Sequence, residues 1–239
     1  MSWILFCLSF VSFSFAFFPF TGEDTDTLGK GKFQLEFQYA YFKHYDKTMH
    51  HDAIVQLTGG VVENMDMALI LPYSLYRYSD GTKNSGFSDM GIFIKHIPMK
   101  VGYFEAGYKL QINLNTGKRG IGYGKITANL NIITQVCKGD ICYNANFLYI
   151  KANFVEELRD TYGAIFCFYR KVSDDLIIGS EIKFLKPTQD GVNKLDSHVL
   201  FGGVYSLKRL SVSFGFHKSV TKHESFANYG ILASLLLLF

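Results

Sequence analysis

Four sets of residues in this 239-residue chain carry side chains able to act as nucleophiles, bases, metal ligands or fixed charges. His50, His51 and Asp52 are adjacent, while Ser211, Ser213 and His217 share one parity of a later segment. Either half of this first set could supply parts of a nucleophile, base and acid arrangement. No G-x-S-x-G, H-E-x-x-H or phosphate-cradling glycine loop accompanies them, and adjacent histidines in a polar stretch are more often simply solvated. The second set is Cys137 and Cys142, which flank a short turn. A C-x4-C pair is half a zinc site, but no second pair or nearby His completes four ligands, which leaves a hairpin-closing disulfide or two free thiols. An oxidising periplasm permits the disulfide. The third set is ionisable and recurs on one parity: Glu36, Asp66, Asp89, Lys95, Glu105, Lys109, Lys125, Glu181 and Lys183, interleaved with Gln34, Gln38, Gln56, Asn64, Gln111, Asn129, Asn131, Asn144 and Asn146. The fourth is the polar stretch 17–31, rich in Thr and Gly, with Glu23, Asp24, Thr27 and Lys30.

The third set dictates the elements that must carry it. Phe33, Leu35, Phe37, Tyr39 and Tyr41 alternate with Gln34, Glu36, Gln38 and Ala40, so one face is greasy and the other wet. Such period-two alternation is the mark of a strand. Met65 to Tyr73, Phe104 to Ile112, Ile126 to Ile132 and Tyr143 to Tyr149 repeat it. The alternation predicts about twelve strands, at 32 to 44, 51 to 59, 62 to 76, 87 to 97, 101 to 114, 124 to 136, 141 to 152, 160 to 170, 175 to 185, 196 to 206, 209 to 218 and 227 to 239. These lengths suit tilted membrane strands of about 9 to 11 residues. Longer polar stretches follow the odd-numbered segments, among them 79–85, 115–123, 152–159, 186–195 and 218–226. Tight turns follow the even-numbered ones, as at 98–100, 138–140, 172–174 and 207–208. Loops sorted by length onto two rims, with an even strand count, predict an all-β, membrane-spanning antiparallel up-and-down barrel over 32–239. Closure removes the sheet edges that lipid would not tolerate.

Composition agrees. Aromatic residues make up 16% of the chain, with 23 Phe and 15 Tyr against only 4 Pro. The 24 basic and 21 acidic residues are interspersed, with no basic run to follow a phosphate backbone, so nucleic acid is not an expected partner. Residues 1–20 are almost uninterruptedly apolar, and Ser14, Phe15, Ala16 offer small residues at a cleavage site. Residues 1–16 therefore read as a signal peptide, with a retained membrane helix as the alternative because no Lys or Arg precedes the apolar run. Residues 17–31 read as a periplasmic N-terminal segment or a plug folded into the lumen. The last segment ends on Phe239, a terminal aromatic of the kind barrel-assembly machinery reads, although Leu232, Leu236 and Leu238 make it apolar on both faces.

The run Pro19-Phe20-Thr21-Gly22-Glu23-Asp24-Thr25-Asp26-Thr27-Leu28-Gly29-Lys30-Gly31-Lys32-Phe33-Gln34-Leu35-Glu36 resembles the opening of a family of outer-membrane barrels labelled with the meta-cleavage pathway of phenol degradation. Gly86-Phe87-Ser88-Asp89 and Asn115-Thr116-Gly117-Lys118 echo it, the latter with Asn where that family more usually has Pro. The resemblance implies a transporter of small hydrophobic or aromatic compounds. The expectation is thus a channel or transporter in the bacterial outer membrane, in contact with its lipid and lipopolysaccharide, without metal or organic cofactor. A structural barrel without conduction is the alternative, and a barrel enzyme with a rim His/Asp site is the weaker one. The third set would line the lumen, whether as a path or as an interior network that satisfies buried polar groups.

Overall fold

The computed structural model describes residues 19–151, 160–186, 194–223 and 226–239. The expected signal segment 1–16, Phe17 and Phe18, and the polar stretch 152–159 lie outside the described residues. Alternation of wet and greasy side chains produces β1 (Phe33–His44), β2 (Met49–Val62), β3 (Met65–Arg77), β4 (Lys83–Phe87), β5 (Gly91–Val101), β6 (Phe104–Asn113), β7 (Thr127–Lys138), β8 (Ile141–Lys151), β9 (Thr161–Lys171), β10 (Leu176–Leu185), β11 (Asp196–Leu207), β12 (Leu210–Ser219) and β13 (Ala227–Leu238). All pair antiparallel. Twelve of them close into a barrel, because β13 returns to β1 with a register from Gln34 opposite Leu238 to His44 opposite Ala227.

The thirteenth, β4, pairs only with the distal half of β3, while β5 pairs with the proximal half. One expected strand at 87 to 97 is therefore two, interrupted at Ser88–Met90. The free edge of β4 is covered rather than left open: Lys118 N donates to Phe87 O, and Lys118 Nζ reaches Ser85 O at 2.7 Å. The tight turn expected at 98–100 is also corrected. β5 runs on to Val101 through a bulge at Ile97 and Pro98, and the chain turns at Gly102, whose φ is 60°. Proline has no N–H for a ladder, so a bulge is where a strand tolerates it.

Two-residue turns at 63–64, 102–103, 139–140 and 208–209 lie on one rim, where Phe33 and Phe239 also bond to each other. The other rim carries the longer connections 78–90 and 114–126 and the described ends of those that join β10 to β11 and β12 to β13. The β1–β2 connection departs from this sorting. It is only 45–48, tightened because the Asp46 carboxylate accepts both Thr48 N and Thr48 Oγ1.

Outward-facing Phe37, Tyr39, Leu71, Ile92, Leu110, Phe147, Phe166, Phe214 and Leu235 are all exposed. Full exposure of such a side chain to water forfeits about 1.5–3 kcal/mol, so these half-exposed ones together would lose roughly 10 kcal/mol, comparable to the whole stability of a domain. The belt fits a hydrocarbon surround. Inside, Gln34, Glu36, Asp66, Lys95, Asn146 and Glu181 are buried. An apolar patch interrupts this polar interior where Leu200 and Leu232 meet Phe20 beside Ala40 and Phe42. The second apolar face of the last strand thus points into the barrel, not into a second sheet.

Candidate functional site: a strap across the lumen

From Gly31 back to Pro19 the chain leaves the short-turn rim and crosses the barrel interior as an irregular strap. At the rim it is fixed by Gly31 N to Gly60 O at 2.9 Å and by Thr27 Oγ1 to Glu63 O at 2.9 Å. Gly60 must be glycine here, since a Cβ would lie 1.9 Å from Gly29 O. The far end rests on the opposite wall at mid-height. There Gly202 and Gly215, register partners on β11 and β12, leave a hollow for Pro19; a Cβ on either would come within 2.7 Å of its ring.

Between these ends, most strap residues are tied to a side chain on a wall. Leu28 N donates to both carboxylate oxygens of Asp66 at 3.1 Å. The Thr25 hydroxyl donates to Glu105, which also pairs with Lys100 at 3.2 Å. Lys95 Nζ lies 2.6 Å from Asp24 Oδ1, with the two side chains 9% and 3% exposed. Lys109 Nζ lies 2.5 Å from Glu23 Oε1 and 4.1 Å from the Phe93 ring centroid. Asn144 and Asn146 donate to Glu23 O, and Glu23 N donates back to Asn146. Thr21 N and Gly22 N donate to Glu181 Oε2 at 2.6 and 3.0 Å.

Most of the ionisable residues expected along the lumen are therefore strap anchors: Asp66, Lys95, Glu105, Lys109 and Glu181. Of the four strap residues singled out, Glu23, Asp24 and Thr27 make these ties, while Lys30 is exposed at the rim. Glu36 and Lys183 instead face cavities. Asp89 belongs to a loop: its carboxylate accepts Thr116 N, Gly117 N and Tyr123 N, drawing the 114–126 connection over the lumen. Lys125 is a correction. It is exposed in that connection because β7 begins only at Thr127, after the left-handed glycines Gly120 and Gly124.

Beside the strap, toward β1, β2, β3, β5 and β6, lies a cavity of about 410 Å³. Gln34, Gln38, Gln56, Thr58, Gln111 and Asn113 line it with Glu36, whose Oε1 is buried and has no hydrogen-bond partner among the described residues. The strap forms its other wall.

The catalytic alternatives do not assemble. Ser211 bonds Ser206 and Ser213 bonds Ser234, at 2.9 and 2.7 Å, and neither hydroxyl bonds His217. His50 and Ser74 both bond Asp52, at 2.8 and 2.5 Å, which puts the acid in the middle where a triad needs the base. His51 faces outward and bonds the Tyr39 hydroxyl. Among the described residues no group of three or more His, Cys, Asp or Glu could hold a metal ion. Cys137 and Cys142, register partners across the β7–β8 turn, are joined by a disulfide, and Cys167 is free and buried.

No protein-family model and no curated protein matches the chain, and nothing in the comparisons links it to phenol degradation. Solved structures do match. An outer membrane channel from Pseudomonas putida F1 superposes with a TM-score of 0.72 at 12% identity, over 91% of this chain and 99% of that one. The KdgM porin gives 0.61 at 9% identity, over 86% and 99%. The translocator domain of the autotransporter NalP from Neisseria meningitidis gives 0.54 at 12%, over 90% of each. The fold is that of porin-like outer-membrane barrels. Channel, porin and translocator share it, so the fold does not by itself choose among their tasks.

Proposed function

We propose that the chain is an outer-membrane channel for small hydrophobic or aromatic molecules, held in a resting state that its own strap obstructs. The observation that carries this reading is the match between strap and wall. The β5–β6 register puts Lys95 directly opposite Lys109. Like charges on directly opposite residues of an antiparallel pair, whose Cβ atoms are about 4.5–5.5 Å apart, are destabilising. Asp24 and Glu23, consecutive on the strap, neutralise one lysine each. A barrel wall that requires carboxylates from a separate segment is built to receive that segment, and a single-strand strap is a removable obstruction in a way that a wall side chain is not.

In this reading residues 1–16 are a secretory signal, the short-turn rim faces the periplasm, and Phe239 is presented to the assembly machinery. The long-loop rim meets lipopolysaccharide. The structural-barrel reading draws on the number of strap anchors, which would also suit a lumen that never opens. Planar-bilayer recording separates the two, using the mature chain and a form lacking 17–31, each checked for heat-modifiable migration as a folded barrel. Higher or more frequent conductance after deletion is the expected result. Equal conductance in both forms would remove the obstructing role, and silence in both would retire the channel in favour of the closed barrel.

A further inference from the structure

A second cavity, of about 230 Å³, lies in the long-loop half of the lumen, on the other side of the strap's apolar end. It gathers residues from strands far apart in sequence. His198 and His217 are 6% and 4% exposed, their ring centroids 4.1 Å apart. His198 Nε2 and His217 Nδ1 are buried without a hydrogen-bond partner among the described residues. Lys183 is the register partner of His198 and lines the same cavity, and it has no ion-pair or hydrogen-bond partner among the described residues. One carboxylate is present: Asp196 Oδ1 stands 3.9 Å from His198 Nδ1, beyond hydrogen-bond reach. His50, also on this cavity, is already committed to Asp52 and stacks on Tyr76 at 4.1 Å. Phe42, Phe226 and Leu232 supply the apolar wall.

We infer that this cavity is a binding site for a small organic acid: one carboxylate received by Lys183, His198 and His217, and a compact apolar body set against Phe42, Phe226 and Leu232. Buried polar atoms without partners cost about 1–3 kcal/mol each, so a native cavity that keeps two of them beside an unpaired ammonium is incomplete without an acceptor. A carboxylate offers acceptor oxygens to all three groups, and its hydrogen bonds to a lysine are charge-assisted. A neutral hydrocarbon would leave the three unsatisfied. A metal cation would face Lys183, and among the described residues no group of three or more His, Cys, Asp or Glu could hold one. The volume falls below the roughly 300–1,000 Å³ of pockets for drug-sized ligands, which sets the body at about one ring or a short chain. The site stands on its own geometry, but its occupant being the transported solute rests on the channel reading.

The test uses the full-length folded protein in detergent, titrated with benzoate, benzyl alcohol and acetate while the His ring resonances are followed by NMR. Benzoate is expected to shift the His198 and His217 rings saturably and to bind at least tenfold more tightly than its neutral isostere or the acid lacking a ring. Lys183→Gln should weaken benzoate at least tenfold, and Lys183→Arg should retain most of the binding, with heat-modifiable migration verifying that both variants fold. Equal affinity for benzyl alcohol, an unaltered K183Q variant, or no saturable shift would each overturn the assignment. Conductance of the same preparation keeps the two claims apart: benzoate binding by a silent barrel leaves the site and removes the channel, and conductance without benzoate binding does the reverse.

Discussion

Replacing the two strap carboxylates, Glu23→Gln with Asp24→Asn, alters no wall residue and should release the strap. The Lys95–Asp24 pair is almost fully buried, and removing one partner of such a pair typically costs about 3–5 kcal/mol because the other charge is left uncompensated. The Lys109–Glu23 pair is less buried, its side chains 15% and 25% exposed, and adds about 1 kcal/mol at most. The Lys95–Lys109 repulsion also returns. Anions from the bath can enter to screen the freed lysines, so the lower end of the range applies, about 3 kcal/mol. That is roughly a hundredfold shift from docked toward undocked strap. Single-channel recording reads it as a rise in open probability, and limited proteolysis reads it as faster cleavage within 19–31. Adding Lys95→Met and Lys109→Met to the double variant removes the stranded charges and should restore most of the protection. Wild-type open probability together with unchanged protease protection in E23Q/D24N would mean that the ion pairs do not hold the strap.

Three further outcomes follow from the same contacts. Gly202→Val places side-chain atoms in the hollow where a Cβ already comes 2.6 Å from Pro19, so the strap end should lift, at a cost of about 1–3 kcal/mol for overpacking, seen as faster proteolysis of the strap on a barrel that still migrates as folded. Asp89→Ala removes the acceptor shared by Thr116, Gly117 and Tyr123, and hydrogen exchange at Gly117 and Tyr123 should accelerate by an amount corresponding to about 1–3 kcal/mol while β7 amides keep their protection. Phe214→Arg puts a cation at mid-strand on the outer face of β12, where it should destabilise by roughly 2–4 kcal/mol in denaturant titration of the bilayer-embedded barrel, whereas a soluble surface would tolerate it.

The barrel was readable from sequence because each wall strand has one face in lipid and one in a polar interior, which writes a period of two into almost every segment. Readability failed where backbone geometry, not burial, decided the outcome. Nothing in Gly86-Phe87-Ser88-Asp89 marks the break between β4 and β5, and Pro98 reads as a turn although a bulge absorbs it. Lys125 has the right parity for the lumen but lies before the strand begins. The site was half legible. Both halves of each strap ion pair were visible, as an acidic N-terminal stretch and as lysines on the inward parity, but which lysine meets which carboxylate depends on register 71 or 86 residues away. The organic-acid cavity was not legible, since His198 and His217 lie on different strands and Lys183 on a third, and their proximity is a product of barrel closure.

The wall carries two features that weaken it as an isolated barrel. Facing lysines at 95 and 109 repel, and each of Gly202 and Gly215 costs a strand about 0.5–1 kcal/mol relative to a residue with a side chain. The strap neutralises the lysines and fills the hollow over the glycines, at points on opposite sides of the lumen. Since Glu23 and Asp24 are consecutive, lifting one carboxylate while the other stays docked leaves a lysine bare next to its like-charged neighbour, so partial undocking is disfavoured and the strap should move as a unit. The left-handed glycines at 29 and 31, with φ of 79° and 78°, mark where such a unit would pivot, between the described anchors on the wall and the first residue of β1.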